Sequence, residues 1–428
     1  MTAWFSALSG AGGRQLFKLG NDDSVTQWTA NPGSGGSGLD PTDLTFFNNA
    51  VWFSGETPAN GHQLYKLGND GSVTKWTNIG TDFFPEDLTL FNNALWFNGF
   101  NTTTGQNQLY KLGNDGSVTK WTADPGSGGS GLDPFDMTVF NDALWFNGET
   151  PANLGQLYKL GDDGSVTKWT AIGADLSPFD LTVFNNALWF NGFDTTANQD
   201  QLYKLGNDGS VTKWTADPGG GNGLDPSNMT AFNDALWFDG TTAANGPQLY
   251  KLGDDGSVTK WTNIGTQLVP NDLTVFNNAL WFNGHDTTTN QNQLYKLGTD
   301  GSVTKWTANA GSGHGLDPIN MTVFNGALWF EGVTPAHGFQ LFKLGVDGSV
   351  TKWTDVGTDL NPIPVSALAN DPDSTPLSVF DNALWFSATS PATGTELYKL
   401  GADGSFTFWK DINPGTAPSN PHDWAVLG

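Results

Sequence analysis

The chain has 428 residues, of which 18 are basic and 43 acidic, giving a net charge of −25, and it has no cysteine. Such a charge repels phosphate backbones and anionic lipid, so nucleic acid and membrane surfaces are excluded as expected partners. Disulfides, thiolate catalysis and cysteine-ligated metal are excluded too, although a chain this long buries enough apolar surface without covalent staples.

Taken from the N-terminus, the first element is Thr2-Ala3-Trp4-Phe5-Ser6-Ala7, followed by Gln15-Leu16-Phe17-Lys18-Leu19 and Ser24-Val25-Thr26-Gln27-Trp28. These are the last three parts of a cassette that then recurs along the whole sequence. A typical copy reads Asp180-Leu181-Thr182-Val183-Phe184, Asn185-Asn186, Ala187-Leu188-Trp189-Phe190-Asn191-Gly192, a variable stretch, Gln201-Leu202-Tyr203-Lys204-Leu205, Gly206-Asn207-Asp208-Gly209 and Ser210-Val211-Thr212-Lys213-Trp214-Thr215. Alternation and turn chemistry predict four strands per copy. The first and second strands are joined by Asn-Asn or Asn-Asp, and the third and fourth by Gly-Asn-Asp-Gly, residues that tolerate positive φ. The other two connections are long and variable. In an up-and-down sheet they share one face, which marks that face as the expected working surface.

The fourth-strand tryptophans are Trp28, Trp76, Trp121, Trp169, Trp214, Trp261, Trp306, Trp353 and Trp409, nine copies at spacings of 45 to 48 residues with one of 56. Propeller blades have such periods, of about 40 to 50 residues. The chain ends Asp423-Trp424-Ala425-Val426-Leu427-Gly428, which supplies the first strand missing at the N-terminus. A linear stack needs capping repeats, whereas a ring needs its termini tied into one blade. The expected fold is therefore all-β: a single closed nine-bladed β-propeller domain over residues 1–428, built of four-stranded antiparallel blades, with the terminal blade shared between the N- and C-termini. No signal peptide is expected ahead of a first strand that already belongs to a blade, and a monomer is expected.

Copies alternate. A glycine-rich connection follows Trp28, Trp121, Trp214 and Trp306, and a shorter one follows Trp76, Trp169, Trp261 and Trp353, so the array reads as pairs of about 93 residues with an odd ninth copy. The connection before that copy, residues 355 to 376, is the longest. The tryptophans are expected to pack between blades, with sugar stacking by one of the two sets as the competing reading.

Several clusters invite chemistry. The first strands begin with Asp43, Asp87, Asp136, Asp180, Asn228, Asp272, Asn320, Pro376 and Asp423. Six aspartates around one axis would make an acidic funnel whose oxygen-only ligands suit calcium or magnesium; the alternative is that each caps its own turn. Gly128 to Asp136 matches a calcium-binding nonapeptide but occurs singly, so a structural loop is expected there. The five histidines, His62, His285, His314, His337 and His422, are assigned to solvated long loops without a metal-ligand spacing. Of the 18 basic residues, nine are the third-strand lysine and seven precede a fourth-strand tryptophan, so no basic patch forms. Catalysis needs one asymmetric site, and only the sector with Asp359, Asp371 and Asp373 offers one, without a paired base or nucleophile. Arg14, the only arginine, cannot build a multi-arginine carboxylate clamp. No enzyme is expected.

In the ninth copy, Leu384-Trp385-Phe386-Ser387-Ala388, Thr393-Gly394-Thr395-Glu396-Leu397-Tyr398-Lys399, Asp403-Gly404-Ser405 and Lys410-Asp411-Ile412-Asn413-Pro414-Gly415 resemble the bacterial ELWxxDGT, or hyalin-like, repeats. Tyr398 stands where that family has tryptophan, and Leu400 to Ala402 lengthen the hairpin. A weaker resemblance to kelch blades rests on the aromatic-Phe-x-Gly strand end. The first resemblance implies a propeller, a secreted or cell-surface location and no catalytic residues to transfer. Two functions stay open: a multivalent, non-enzymatic binding module for carbohydrate or another repetitive surface ligand, held by the long loops, or a structural repeat scaffold with no small ligand.

Overall fold

In a computed structural model of the chain, all residues are described except 1, 11–12, 30–37, 103, 123–130, 151–152, 173–174, 215–222, 243–245, 265–267, 288, 307–314, 335–337, 355–376, 391 and 428. The fold is all-β, a β-propeller of nine four-stranded antiparallel blades. Blades are numbered here by their fourth-strand tryptophans, Trp28 in blade 1 to Trp409 in blade 9, and the first strand of each is called inner and the fourth outer. Blade 2 is typical, with strands Thr42–Phe47, Ala50–Thr57, Gly61–Leu67 and Val73–Lys75 in sheet order.

The terminal blade is composite, as expected. Its inner strand, His422–Leu427, pairs antiparallel with Thr2–Leu8, matching Thr2 to Leu427, Trp4 to Ala425 and Phe5 to Trp424. Arg14–Leu19 and Val25–Gln27 complete it. Two compact units emerge, one holding blades 9, 1, 2 and 3 and the other blades 4 to 8, apart from residues 337–340, which include the first three of the third strand of blade 8.

Second strands carry no polar-apolar alternation, because both of their faces are covered: all of Ala94 to Gly99 in blade 3 are buried. On one face Trp145 and Leu157 of blade 4 meet Leu188, Phe190, Tyr203 and Leu205 of blade 5 in one cluster, and the same arrangement repeats along each unit. Burial of both faces is what removes the two-residue hydropathy period from these strands.

Outer strands are shorter than the six residues expected, reduced to Val-Thr-Lys in most blades. A cassette threonine explains the early end. In blade 2, Thr77 Oγ1 accepts from the Leu64 backbone N–H at 2.9 Å and donates to Gln63 Oε1 at 3.0 Å, and that oxygen also accepts from Ile79 N–H at 3.1 Å. Gln63 is fully buried, so it needs these partners, and the chain leaves the sheet to supply them.

Candidate functional site

The aspartates at the start of the inner strands lie at β-bulges. Register slips by a residue between Phe135 and Thr138, between Phe179 and Thr182 and at the equivalent place in other blades. The displaced residue takes a left-handed backbone: φ is 54° at Asp43, 57° at Asp87, 56° at Asp136, 57° at Asp180, 55° at Asp272 and 48° at Asp423, and Asn228 and Asn320 match them. Asp and Asn are the non-glycine residues that adopt this conformation most readily, which is why the position admits only these two in the described copies.

Their carboxylates reach the next blade. Asp136 Oδ2 accepts from Leu181 N–H at 3.3 Å, Asp180 Oδ2 from Met229 N–H at 3.4 Å and Asp272 Oδ2 from Met321 N–H at 3.0 Å. Each of these aspartates therefore latches a blade to its successor, rather than capping its own turn. Burial pushes Asp180 up to about 6 against the pull of the Met229 and Asn228 N–H groups, and pushes Asp272 to about 6 in the same way. Asp423 sits with its Oδ2 3.0 Å from His422 Nδ1. Among the described residues, no three acidic or histidine side chains come close enough together to hold a metal ion.

Histidines are less exposed than a loop position implies. His62, His285 and His422 lie in strand ends, and His62 Nδ1 is 2.9 Å from Asp82 Oδ1. His314, His337, Asp359, Asp371, Asp373, Pro376, residues 128–130 of the nonapeptide match and most of the glycine-rich connections lie outside the described residues.

An open depression lies at the opposite end of the blades from these connections. At blade 2 the tight turns enclose about 480 Å³ lined by Asn48, Asn49, Lys66, Gly68, Asn69, Asp70, Ser72, Thr74 and Trp76, a size typical of small-molecule sites, about 300–1,000 Å³. The geometry is fixed from several sides. Trp76 Nε1 donates to Gly116 O of blade 3 at 2.8 Å, yet the indole stays 38 % exposed. Asn48 Nδ2 donates to Asn114 O of the same neighbouring turn at 3.1 Å. Lys66 Nζ lies 4.8 Å from the Trp76 ring centroid and 5.3 Å from that of Trp52, a cation between two π faces. Asp70 Oδ1 accepts from the backbone N–H and hydroxyl of Ser72 at 3.0 and 2.7 Å, and these bonds hold its carboxyl below the ordinary range.

Gly116 belongs to this design. Its φ is 80°, and a Cβ there would lie 2.8 Å from Trp76 Cζ2, so only glycine lets the indole rest on the turn. The same contact recurs with Trp28 on Gly71, Trp169 on Gly209, Trp214 on Gly256, Trp261 on Gly301 and Trp306 on Gly348. The repetition of Asn-Asp-Gly-Ser signals the turn in the sequence; that an indole from the preceding blade sits on its glycine is visible only in three dimensions.

No protein family model matches the chain, and no curated protein matches it in sequence. Solved structures do. Dipeptidyl peptidase 4 of Porphyromonas gingivalis is 10 % identical with a TM-score of 0.52, covering 87 % of this chain and 59 % of that one. A puromycin hydrolase is 13 % identical with a TM-score of 0.40, over 84 % and 57 %. Catalytically inactive virginiamycin B lyase from Staphylococcus aureus is 19 % identical with a TM-score of 0.39, over 66 % and 92 %. The chain thus spans under two thirds of either peptidase structure, and at these identities the likeness is one of fold alone.

Proposed function

We propose that the protein is a non-catalytic, multivalent binding module for carbohydrate, each cassette offering the same small groove at its tight-turn end. The observation that carries this is the blade 2 groove, where a half-exposed indole held by its own hydrogen bond forms a wall beside amide, hydroxyl, ammonium and carboxylate groups. An apolar face next to convergent polar groups suits a ligand with both characters. Equivalent residues recur in other cassettes, and repeated weak sites gain strength on a repetitive ligand. The tight-turn end is a second candidate binding face beside the long loops. A secreted or cell-surface location accords with the ELWxxDGT resemblance of the ninth copy.

A structural scaffold with no small ligand is the second reading. It is favoured by the indole and aspartate contacts between blades, which would account for these residues without a ligand. Binding of the full chain to an array of neutral and acidic glycans, followed by calorimetry on soluble hits, separates the two. Binding that strengthens with glycan density supports the module, and silence across the array leaves the scaffold.

A further inference from the structure

We infer that the blade 2 groove takes one pyranose ring of an uncharged sugar, the ring's C–H face against Trp76 and its hydroxyls on Asp70, Asn49 and Lys66; this deepens the carbohydrate reading above and rests on it. Shape comes first. The exposed part of Trp76 is a flat apolar wall that cannot swing, because Nε1 is tied to Gly116 O at 2.8 Å, so a flat ligand face stacks on it without an ordering cost at this side chain. An aliphatic ligand would leave polar lining dry, since the side chains of Asn49 and Thr74 make no hydrogen bond to any described side chain or backbone group and need a partner when water leaves.

Hydrogen-bond roles come second. Asp70 spends Oδ1 on Ser72 and keeps Oδ2 as an acceptor. Asn48 spends Nδ2 on Asn114 and keeps its carbonyl oxygen. Lys66 brings donors only, and the Asn49 amide brings both kinds. The rim therefore mixes donors with acceptors, which matches hydroxyls, groups that both give and take a proton. A purely accepting ligand would oppose Asp70.

Charge decides the class. The groove holds one fixed cation, Lys66, and one fixed anion, Asp70, within a chain of net charge −25. A uronate or sulfated ring would gain from Lys66 but meet Asp70 and the overall negative field, and an uncharged ring meets neither cost.

The test uses the full chain labelled with ¹⁵N at tryptophan, titrated with methyl glucoside, methyl galactoside, methyl mannoside, N-acetylglucosamine and glucuronate, with Trp76→Phe assigning the Trp76 signal by its loss. The expected result is that an uncharged glycoside shifts the indole N–H signals of Trp76 and other outer-strand tryptophans, leaves those of the second strands in place and binds more tightly than glucuronate. Asp70→Asn, which retains an acceptor for Ser72, is expected to narrow that preference at the Trp76 signal. Glycan binding without movement of outer-strand indoles overturns this site while leaving the carbohydrate module standing, and tighter binding of glucuronate overturns the uncharged class. Absence of binding to every sugar, monomeric or arrayed, overturns both.

Discussion

Each blade sets a second-strand tryptophan barely a ring's width from its fourth-strand tryptophan, and the two live in different environments. In blade 4, Trp145 on the second strand is 3 % exposed and Trp169 on the outer strand is 37 % exposed, their centroids 5.2 Å apart at 87°. Both indoles donate one hydrogen bond, but Trp145 gives it to Phe140 O at 2.9 Å inside its own blade and Trp169 to Gly209 O at 2.8 Å in the next. The lesson is that one residue type serves here as core and as wall. The first tryptophan makes the blade's interior; the second joins blades while leaving a surface for something else.

The buried tryptophan carries the larger share of stability. Trp145→Ala is expected to cost about 3–5 kcal/mol, the range for large aromatic truncations in a core, seen as a lowered urea midpoint. Trp169→Ala, with over a third of its surface already in water, is expected to cost about 1–3 kcal/mol, since less area returns to solvent. Equal costs would erase the distinction between the two sets.

Gly209→Ala attacks the outer tryptophan from beneath. The glycine has φ of 80°, and a Cβ would lie 2.8 Å from Trp169 Cζ2, so the variant adds left-handed backbone strain to a displaced indole. The expected loss is about 1–3 kcal/mol, with a change at the Trp169 indole signal and none at Trp145.

Acidity sharpens the comparison by acting on groups buried beside the second strands. Burial raises Asp180 and Asp272 to about 6, Asp239 to about 7, with help from Asp225, and Glu396 to about 7. In each case the folded protein binds the proton more tightly than the unfolded chain does. Between the unfolded carboxyl range near 4 and these raised values the native state holds more protons, so stability falls as pH rises through 6 to 7 and grows on acidification from 8 to 5. Below about 4 the trend reverses, because the turn aspartates such as Asp70 and Asp163, lowered by their serine partners, lose those bonds on protonation. Melting temperatures from pH 3 to 8 are expected to peak at about 4, and a maximum at 8 would contradict the buried carboxyl assignments.

The smallest expected effect concerns calcium. Asp136, Asp180 and Asp272 spend an oxygen on a backbone N–H of the next blade, so millimolar calcium is expected to leave the melting temperature unchanged. A concentration-dependent rise would restore the inner-strand aspartates as cation ligands.

The blade plan is legible in the sequence because it repeats: turn residues, strand order and the sharing of a blade by Trp4 and Trp424 all follow from spacing. Most of what escapes depends on two blades at once. Asp136 reads as a turn cap, and nothing in its neighbourhood points 45 residues ahead to Leu181. Within one blade, the sequence shows Gln63 only as the residue that opens Gln-Leu-Tyr-Lys-Leu, yet burial makes it the tie that ends the outer strand. Loop length points to the long connections, many of which lie outside the described residues, and the described groove under the short turns, where residues from one blade meet the turn of the next, carries no loop-length signal. Trp4 departs from the other second-strand tryptophans: its Nε1 has no hydrogen-bond partner among the described residues, whereas Trp52 and Trp145 each donate to the end of their own inner strand.

Hydrogen exchange of the indole N–H groups tests the division of tryptophan roles most directly. In deuterated buffer the second-strand signals with internal turn partners, from Trp52 through Trp385, are expected to persist to the global stability limit, and those of Trp76, Trp169 and Trp261 to vanish earlier through local opening of the outer strands. Loss of both sets at one common rate would contradict the account.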